Sequence, residues 1–252
     1  MTEQLRPDGG EAGYADRRVS YTAGQLDRAE LAATPLEQFE RWYADAVAAG
    51  LPEPNALVLA TADPVSGPSA RTVLLKQADR RGFVFYTNYG SRKGRQITAG
   101  DGRVSLLFPW HALQRQVSVL GVAERVPVAE SRAYFGSRPW GSRIGAWASR
   151  QSEPLADRAD LERRYAELAA RWPDHGGTDD VPVPGHWGGY VVRAREVEFW
   201  QGRVSRLHDR LAFVTAAPDG AAPDGAAPDG AAPAGAADLD DASRWQVERR
   251  QP

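Results

Sequence analysis

Ala70-Arg71-Thr72-Val73-Leu74-Leu75-Lys76-Gln77 leads almost directly into Asp79-Arg80-Arg81-Gly82 and then Phe83-Val84-Phe85-Tyr86-Thr87. A β-type run, a polar turn ending in glycine and a second β-type run read as two neighbouring strands. Working outward, Ala56 to Thr61 precedes them. Val104 to Phe108 and Gln116 to Val122 follow, separated by Pro109-Trp110-His111. Gly188 to Arg193, Val197 to Trp200, Leu211 to Thr215 and Trp245 to Glu248 come late. So many short strands with Gly, Asp and Pro turns predict an antiparallel sheet closing on itself as a barrel. Helical stretches interrupt it after Ser91, over 128–135 and over 155–171, the last with Leu161, Tyr165 and Leu168 at helical spacing. One more helix comes first. Thr34 can cap it, Pro35 suits the first helical position and Glu37 completes a capping box. Its predicted apolar stripe is Leu36, Phe39, Tyr43 and Val47, and Gly50 with Pro52 stops it. The fold class is therefore mainly β with flanking helices (α+β).

With 252 residues, 42% hydrophobic and 25% charged, the chain has the composition of a globular protein with a sizeable core. A net charge of −2 argues against a nucleic-acid partner. Cysteine is absent, which removes disulfides, thiolate metal sites and Cys nucleophiles and suits a cytoplasmic setting. No apolar run is long enough to span a membrane, and Met1 to Gly13 is polar with no signal-like core. Residues 1–17 are expected to be a disordered leader, with one domain over 18–252. Residues 216–237 repeat Ala-Ala-Pro-Asp-Gly and then drift. Regular prolines forbid a helix there, and the segment reads as a stretched hairpin loop acting as an inert spacer.

The chemistry lies in scattered cations and hydroxyls. After Val197-Glu198-Phe199-Trp200-Gln201-Gly202, the run Arg206-Leu207-His208-Asp209-Arg210 would, as a continuing strand, put Arg206, His208 and Arg210 on one face. Two guanidiniums and an imidazole suit an anionic planar ligand, though a solvated edge strand would look the same. Arg71 and Lys76 differ by an odd number of positions, so a regular strand sends them to opposite faces; either a bulge or the strand's end reorients one, or the two serve different ligands or parts of one site, and snorkelling surface cations would look the same. Tyr86-Thr87-Asn88-Tyr89-Gly90-Ser91-Arg92-Lys93 is a strand, a turn and a Ser-capped helix whose first turn holds two cations. Cations at the positive end of a helix dipole imply an anion there, and the group is a phosphate site. Tyr134, Arg138 and Ser142 recur every four residues, but Gly136 and Pro139 prevent one straight helix from carrying all three. Gln116 in its strand can bond a heterocycle edge or face solvent. Ser152, beside Gln151, is a ligand donor or a helix cap. Arg18 and Tyr21 lie in an irregular segment that folds over a site or dangles. These groups exceed what one phosphate needs. No P-loop, no dinucleotide fingerprint, no metal-ligand spacing and no triad accompanies them.

Arg71-Thr72-Val73-Leu74-Leu75-Lys76, Phe85-Tyr86-Thr87-Asn88, Gly90-Ser91-Arg92-Lys93, Leu107-Phe108-Pro109-Trp110, Phe135-Gly136-Ser137-Arg138-Pro139, Phe199-Trp200-Gln201-Gly202 and Arg206-Leu207-His208-Asp209-Arg210, in this order, resemble the pyridoxamine 5'-phosphate oxidase family. The resemblance implies an FMN-binding split β-barrel, a homodimer with FMN at the subunit interface, and oxidation of pyridoxamine 5'-phosphate and pyridoxine 5'-phosphate to pyridoxal 5'-phosphate. Molecular oxygen would be the acceptor, giving hydrogen peroxide, with ammonia released from the amine. By matching position, Arg71, Thr72, Val73, Leu74, Leu75, Lys76, Tyr86, Thr87, Arg92, Lys93, Gln116, Gln151, Ser152, Trp200 and Arg210 resemble FMN contacts. Lys76, Tyr134, Arg138 and Ser142 resemble the substrate-phosphate site. Arg206 and His208 resemble the catalytic pair against the substrate ring, and Arg18 and Tyr21 a segment covering it. Arg249-Arg250-Gln251-Pro252 departs from the family, which usually has an apolar residue near this end, and so questions how the last strand packs.

Overall fold

Thr34 caps the first helix as its position predicts. In the computed structural model, which describes residues 13–14, 19–215 and 237–252, its hydroxyl accepts from Glu37 N at 3.2 Å and α1 spans Pro35–Ala48. The return bond of the capping box reaches one residue further back, with Ala33 N donating to Glu37 at 3.3 Å. The buried face differs from the expected stripe. It carries Leu36, Gln38, Phe39, Trp42 and Ala46, whereas Val47 is 54% exposed. One residue turns a helix by about 100°, so Val47 swings off a face centred between Phe39 and Ala46.

Among the described residues nine strands form one sheet: β1 (Ala56–Asp63), β2 (Gly67–Leu74), β3 (Gln77–Asp79), β4 (Gly82–Asn88), β5 (Arg103–Trp110), β6 (Arg115–Arg125), β7 (Trp187–Gln201), β8 (Asp209–Thr215) and β9 (Trp245–Arg249). The order β2-β1-β5-β6-β7-β4-β3 is antiparallel at every pairing. Its two ends, β2 and β3, are joined through Leu75 and Lys76. Leu75 N still bonds Asn55 O at 2.8 Å on the β1 side, while Lys76 N already bonds Val84 O at 2.8 Å on β4. The chain thus passes from one edge of the sheet to the other, and the path of pairings stays open between β2 and β3, as a split barrel rather than a fully closed one.

β7 is one strand of 15 residues, not the two short ones expected. β6 lies along one of its edges from Tyr190 to Gln201. Its other edge pairs with β4 from Trp187 to Val192 and with β8 from Glu196 to Gln201. A bulge against Leu120 and Gly121 leaves Arg195 outside the register where that change occurs. Gly121 is required there, since a Cβ would stand 2.2 Å from Arg193 O. β8 and β9 pair from Leu211↔Arg249 to Thr215↔Trp245, the hairpin expected around the repeat. Residues 216–236 and Met1 to Glu11, Ala12 and 15–18, with Arg18 and most of the expected leader, lie outside the described residues. Ala237, read as the end of the spacer, is core at 2% exposure, as is Leu239, whose backbone bonds both Arg80 O and Leu36 N.

Alternate residues of β5, Val104, Leu106, Phe108 and Trp110, point inward. Phe39 of α1 meets Phe83 and Phe108 with ring centroids 5.0 Å away, and Trp42 meets Phe199 at 5.2 Å. Losing a ring like Phe39 costs about 3–5 kcal/mol. The remaining helices are α2 (Arg92–Ala99), α3 (Val128–Ser137), α4 (Trp140–Ala148) and α5 (Arg158–Arg171). The sequence pattern did not predict α4. A separate cluster of Phe135, Ile144, Val181 and Trp187 fastens α3 and α4 beside β7. Arg143, 4% exposed, ties α4 to the following loop through Thr178 O at 2.6 Å and Gly177 O at 2.9 Å.

Candidate active site

The handover at Leu75 and Lys76 resolves the parity of Arg71 and Lys76. β2 ends at Leu74, so the chain is no longer a regular strand when it reaches Lys76, and both cations line one cleft of about 1040 Å³. Thr72, Val73 and Leu74 line it too; Leu75 turns into the core at 8% exposure. The other walls are Tyr86 and Thr87 of β4, Arg92 and Lys93 of α2, Tyr134 of α3, Arg138, Ser142 of α4, Gln151 and Ser152. The three phosphate-type donors at 134, 138 and 142 thus converge from two helices. α3 ends at Ser137, Arg138 is extended, and Pro139 starts α4. Ser152 is not a helix cap, because Asp157 caps α5; its backbone has φ +75°.

Among the described residues five cations line the cleft, Arg71, Lys76, Arg92, Lys93 and Arg138, and no Asp or Glu does. They fall into two groups. In the first, Ser91 caps α2 by accepting from Gly94 N, and Lys93 Nζ donates to Thr87 at 3.1 Å, Ser91 at 3.2 Å and Gln151 Oε1 at 2.7 Å. Burial and then the nearby Arg71 push the Lys93 ammonium down to about 8. Burial, followed by Arg92, likewise lowers Arg71. In the second group Tyr86 stacks on Tyr134 at 4.0 Å and on Trp187 at 5.5 Å. Lys76 Nζ lies 5.9 Å from the Tyr134 ring, and the Arg138 guanidinium 4.9 Å from the Trp187 ring. Burial lowers Arg138, and its Nη1 is buried with no hydrogen-bond partner among the described residues. Burial also raises the Tyr86 phenol to about 12, so it stays a neutral donor. Lys93 is buried, Arg71 and Arg138 are half-buried, and Lys76 and Arg92 are exposed; a buried or half-buried cation with no carboxylate beside it is costly unless an anion joins it.

The remaining expected site residues are elsewhere. Trp200, at the far end of β7, has His208 at 4.6 Å and Tyr21 at 5.9 Å, and Tyr21 is 5.8 Å from His208. Gln116 is Trp200's cross-strand partner. Arg206, His208 and Arg210 do not share a strand face. β8 begins only at Asp209, and Val204–Arg206 is a 3-10 turn in which Ser205 and Arg206 have φ of +57° and +62°. That left-handed turn re-aims the exposed Arg206. Arg203 N donates to His208 Nδ1 at 3.0 Å, which leaves Nε2 to carry the proton of the neutral ring. Arg210 is held by Glu198 at 2.8 Å, and Arg250 by Glu196 at 2.7 Å and Glu198 at 3.2 Å. The departure at the C-terminus is therefore accommodated by ion pairs in place of an apolar contact.

Trp187 lines the cleft and Trp200 lies in this second patch, thirteen residue steps or roughly 40 Å further along the strand. Two residues of the first region escaped the sequence reading. Trp187 opens β7 one position before the predicted strand. Gln96 is buried on the face of α2 that holds Lys93 and Ile97, and a polar residue on a buried helix face was the available signal.

A family model described as pyridoxamine 5'-phosphate oxidase matches residues 43–171, and one described as pyridoxine 5'-phosphate oxidase C-terminal dimerisation region matches residues 187–252. The pyridoxine/pyridoxamine 5'-phosphate oxidase of Kineococcus radiotolerans is 57% identical over 94% of this chain and 98% of its own. Among solved structures, PhzG from Burkholderia lata, in complex with tetrahydrophenazine-1-carboxylic acid, has a TM-score of 0.72 at 29% identity, covering 90% of this chain and 98% of that one. A pyridoxamine 5'-phosphate oxidase-related, FMN binding protein from Nostoc punctiforme shares the fold, with a TM-score of 0.59 at 14% identity over 85% of this chain and 97% of that one.

Proposed function

This chain belongs to the pyridoxamine 5'-phosphate oxidase family, and from that premise we propose that it oxidises pyridoxamine 5'-phosphate and pyridoxine 5'-phosphate to pyridoxal 5'-phosphate with FMN as cofactor and O2 as acceptor. The observation that carries the proposal is the carboxylate-free cleft with five cations in two groups, one for each of two phosphates. Its donor set fits FMN together with a phosphorylated substrate. Arg71, Arg92, Lys93, Gln151 and Ser152 would hold the FMN phosphate, with Thr72, Val73, Leu74, Leu75, Tyr86 and Thr87 along the cofactor. Lys76, Tyr134, Arg138 and Ser142 would hold the substrate's phosphate, where Arg138 Nη1 gains the partner it lacks.

FMN, when bound, would supply the two-electron redox chemistry, with O2 as the final acceptor and H2O2 as its product. The chain's own residues bind and orient. Phosphate binding at Lys76 and Arg138 is remote from the reacting carbon, so its energy sets the ring's position. The stacked Tyr86, Tyr134 and Trp187 rings would form an apolar wall beside the second group.

The other half of the site would come from a second copy. The Trp200 and His208 patch lies at the opposite end of β7 from the cleft, inside the segment matching a dimerisation region. In a homodimer the partner subunit's Arg206 and His208 would face the substrate ring, with its Gln116, Trp200 and Arg210 near the flavin. Arg206 would supply positive charge, and His208 a donor from Nε2. Tyr21 and Arg18 would cover them.

Anaerobic addition of pyridoxamine 5'-phosphate to the purified flavoprotein is expected to bleach the visible flavin band. Retention of the band in full would overturn the assignment and favour a flavoprotein acting on a different anionic ring, as the ligand of the Burkholderia neighbour suggests.

A further inference from the structure

Gln96 is 1% exposed, at the middle of α2, and its amide spends its full hydrogen-bonding capacity. Nε2 donates to Gly67 O at 3.0 Å and Ser66 Oγ at 2.8 Å. Oε1 accepts from Thr61 Oγ1 at 2.7 Å and Ser69 Oγ at 2.6 Å. A carbonyl only accepts, so Gly67 O fixes which end of the amide is nitrogen, and with it the direction of both hydroxyl bonds. Each hydroxyl has one proton, and Gln96 takes it. Their lone pairs are therefore left free to accept from Arg71. Arg71 Nη1 donates to Thr61 Oγ1 at 2.6 Å and to Leu59 O at 3.0 Å, and Nη2 donates to Ser69 Oγ. Three of the five guanidinium N–H groups are thereby anchored by neutral acceptors, and the cation keeps its charge and its remaining donors.

We propose that Gln96 is a positioning residue for the cofactor phosphate: by fixing the proton direction at Thr61 and Ser69 it locks the Arg71 guanidinium in the orientation that receives the phosphate. Without that amide either hydroxyl is free to rotate and turn its proton toward a cation, which repels it. A carboxylate in the same place would order the hydroxyls but neutralise the site's charge. The neutral amide does the first without the second. Gln96 touches no ligand itself.

The inference rests on the FMN reading, and a titration separates the two. Full-length protein is freed of flavin by dialysis, and flavin-fluorescence quenching gives dissociation constants for FMN and for riboflavin, the same ring without the phosphate. Wild type is expected to prefer FMN strongly; equal affinities would sink the FMN reading and this inference with it. Gln96→Leu should weaken FMN tenfold or more and leave riboflavin within twofold. In an Arg71→Ala background, Gln96→Leu should add nothing to the loss of FMN. A similar loss for both flavins, an undiminished FMN preference, or additive losses with Arg71→Ala would each overturn the positioning role while leaving the cofactor assignment intact. If Gln96→Leu does not fold, Ser69→Ala removes one of the two relays and should shift FMN in the same direction by a smaller factor; no shift overturns the proposal.

Discussion

In the cleft the cations are held by neutral groups: Lys93 by hydroxyls and an amide, Arg71 by hydroxyls and a carbonyl. At the other end of β7 the cations are already neutralised. Arg203 pairs with Asp209 at 3.2 Å, Arg249 with Asp209 at 3.2 Å, and Arg210 with Glu198 at 2.8 Å. A guanidinium paired to a carboxylate offers hydrogen bonds and shape but little net charge. On the proposed reading the first region would attract an anion and the second would complete a surface around one. Arg206 is the exception in the second region, exposed and without an ion pair among the described residues.

The contrast can be broken most decisively at Arg206. Arg206→Ala should leave flavin bound and lower kcat/KM by about 10²–10³, the scale of losing one charge-stabilising donor at a reacting centre. Unchanged steady-state kinetics would remove it from the site. Arg138→Leu should act on the anion side instead, raising KM for the phosphorylated substrate by roughly 10–10² with FMN affinity intact, as expected for one charged hydrogen-bond donor. A comparable loss of FMN affinity would merge the two cationic groups into one. Co-expressing Arg138→Leu with Arg206→Ala chains then tests whether the regions meet across a two-fold axis. A mixed dimer would carry one intact site, so a random mixture recovers about a quarter of wild-type activity. No recovery would place both regions in the same protomer's site.

The smallest effect is a pH dependence. Lys93 titrates near 8 when the cleft holds no anion. A bound phosphate favours the charged lysine and raises that value, so binding takes up a proton wherever the free lysine is neutral. FMN affinity should be full below pH 8 and fall as pH rises through 8, by at most about tenfold per unit. For the flavin-free chain the sign is opposite. Its folded lysine lies below the ordinary value of 10.5, so the unfolded state binds more protons between about pH 8 and 10.5 and stability rises across that window. Flat FMN affinity from pH 7 to 10 would take Lys93 out of the phosphate site.

Much of the cleft was legible because its residues break local rules. Arg92 and Lys93 in a first helical turn conflict with the helix dipole, and that conflict points to both residues, which line the cleft. The Thr34 cap and most strands follow from local chemistry in the same way. What stayed hidden depends on distant contacts. α4 is rich in small residues, with Gly141, Ser142 and Gly145, and only its packing through Ile144 makes it a helix. The left-handed backbone at Ser205 and Arg206 has no glycine to announce it, so the run from 206 to 210 read as a strand. Leu239 sits in a stretch of aspartates, and its burial is decided by Arg80 and Leu36 backbone more than a hundred positions away. Gln96 carries no motif; its role emerges only once β1 and β2 pair beneath it.

The two partners of β7 have a consequence for how the gene can vary. Side chains alternate along a strand, so a codon inserted between Trp187 and Val192 would flip every upstream side chain, Trp187 included, against the fixed β4 register. One inserted between Glu196 and Trp200 would do the same to the opposite end. Between these blocks lies Arg195, where the sheet already accommodates a surplus residue. Length changes in this strand should therefore survive selection at that single point and nowhere else along it.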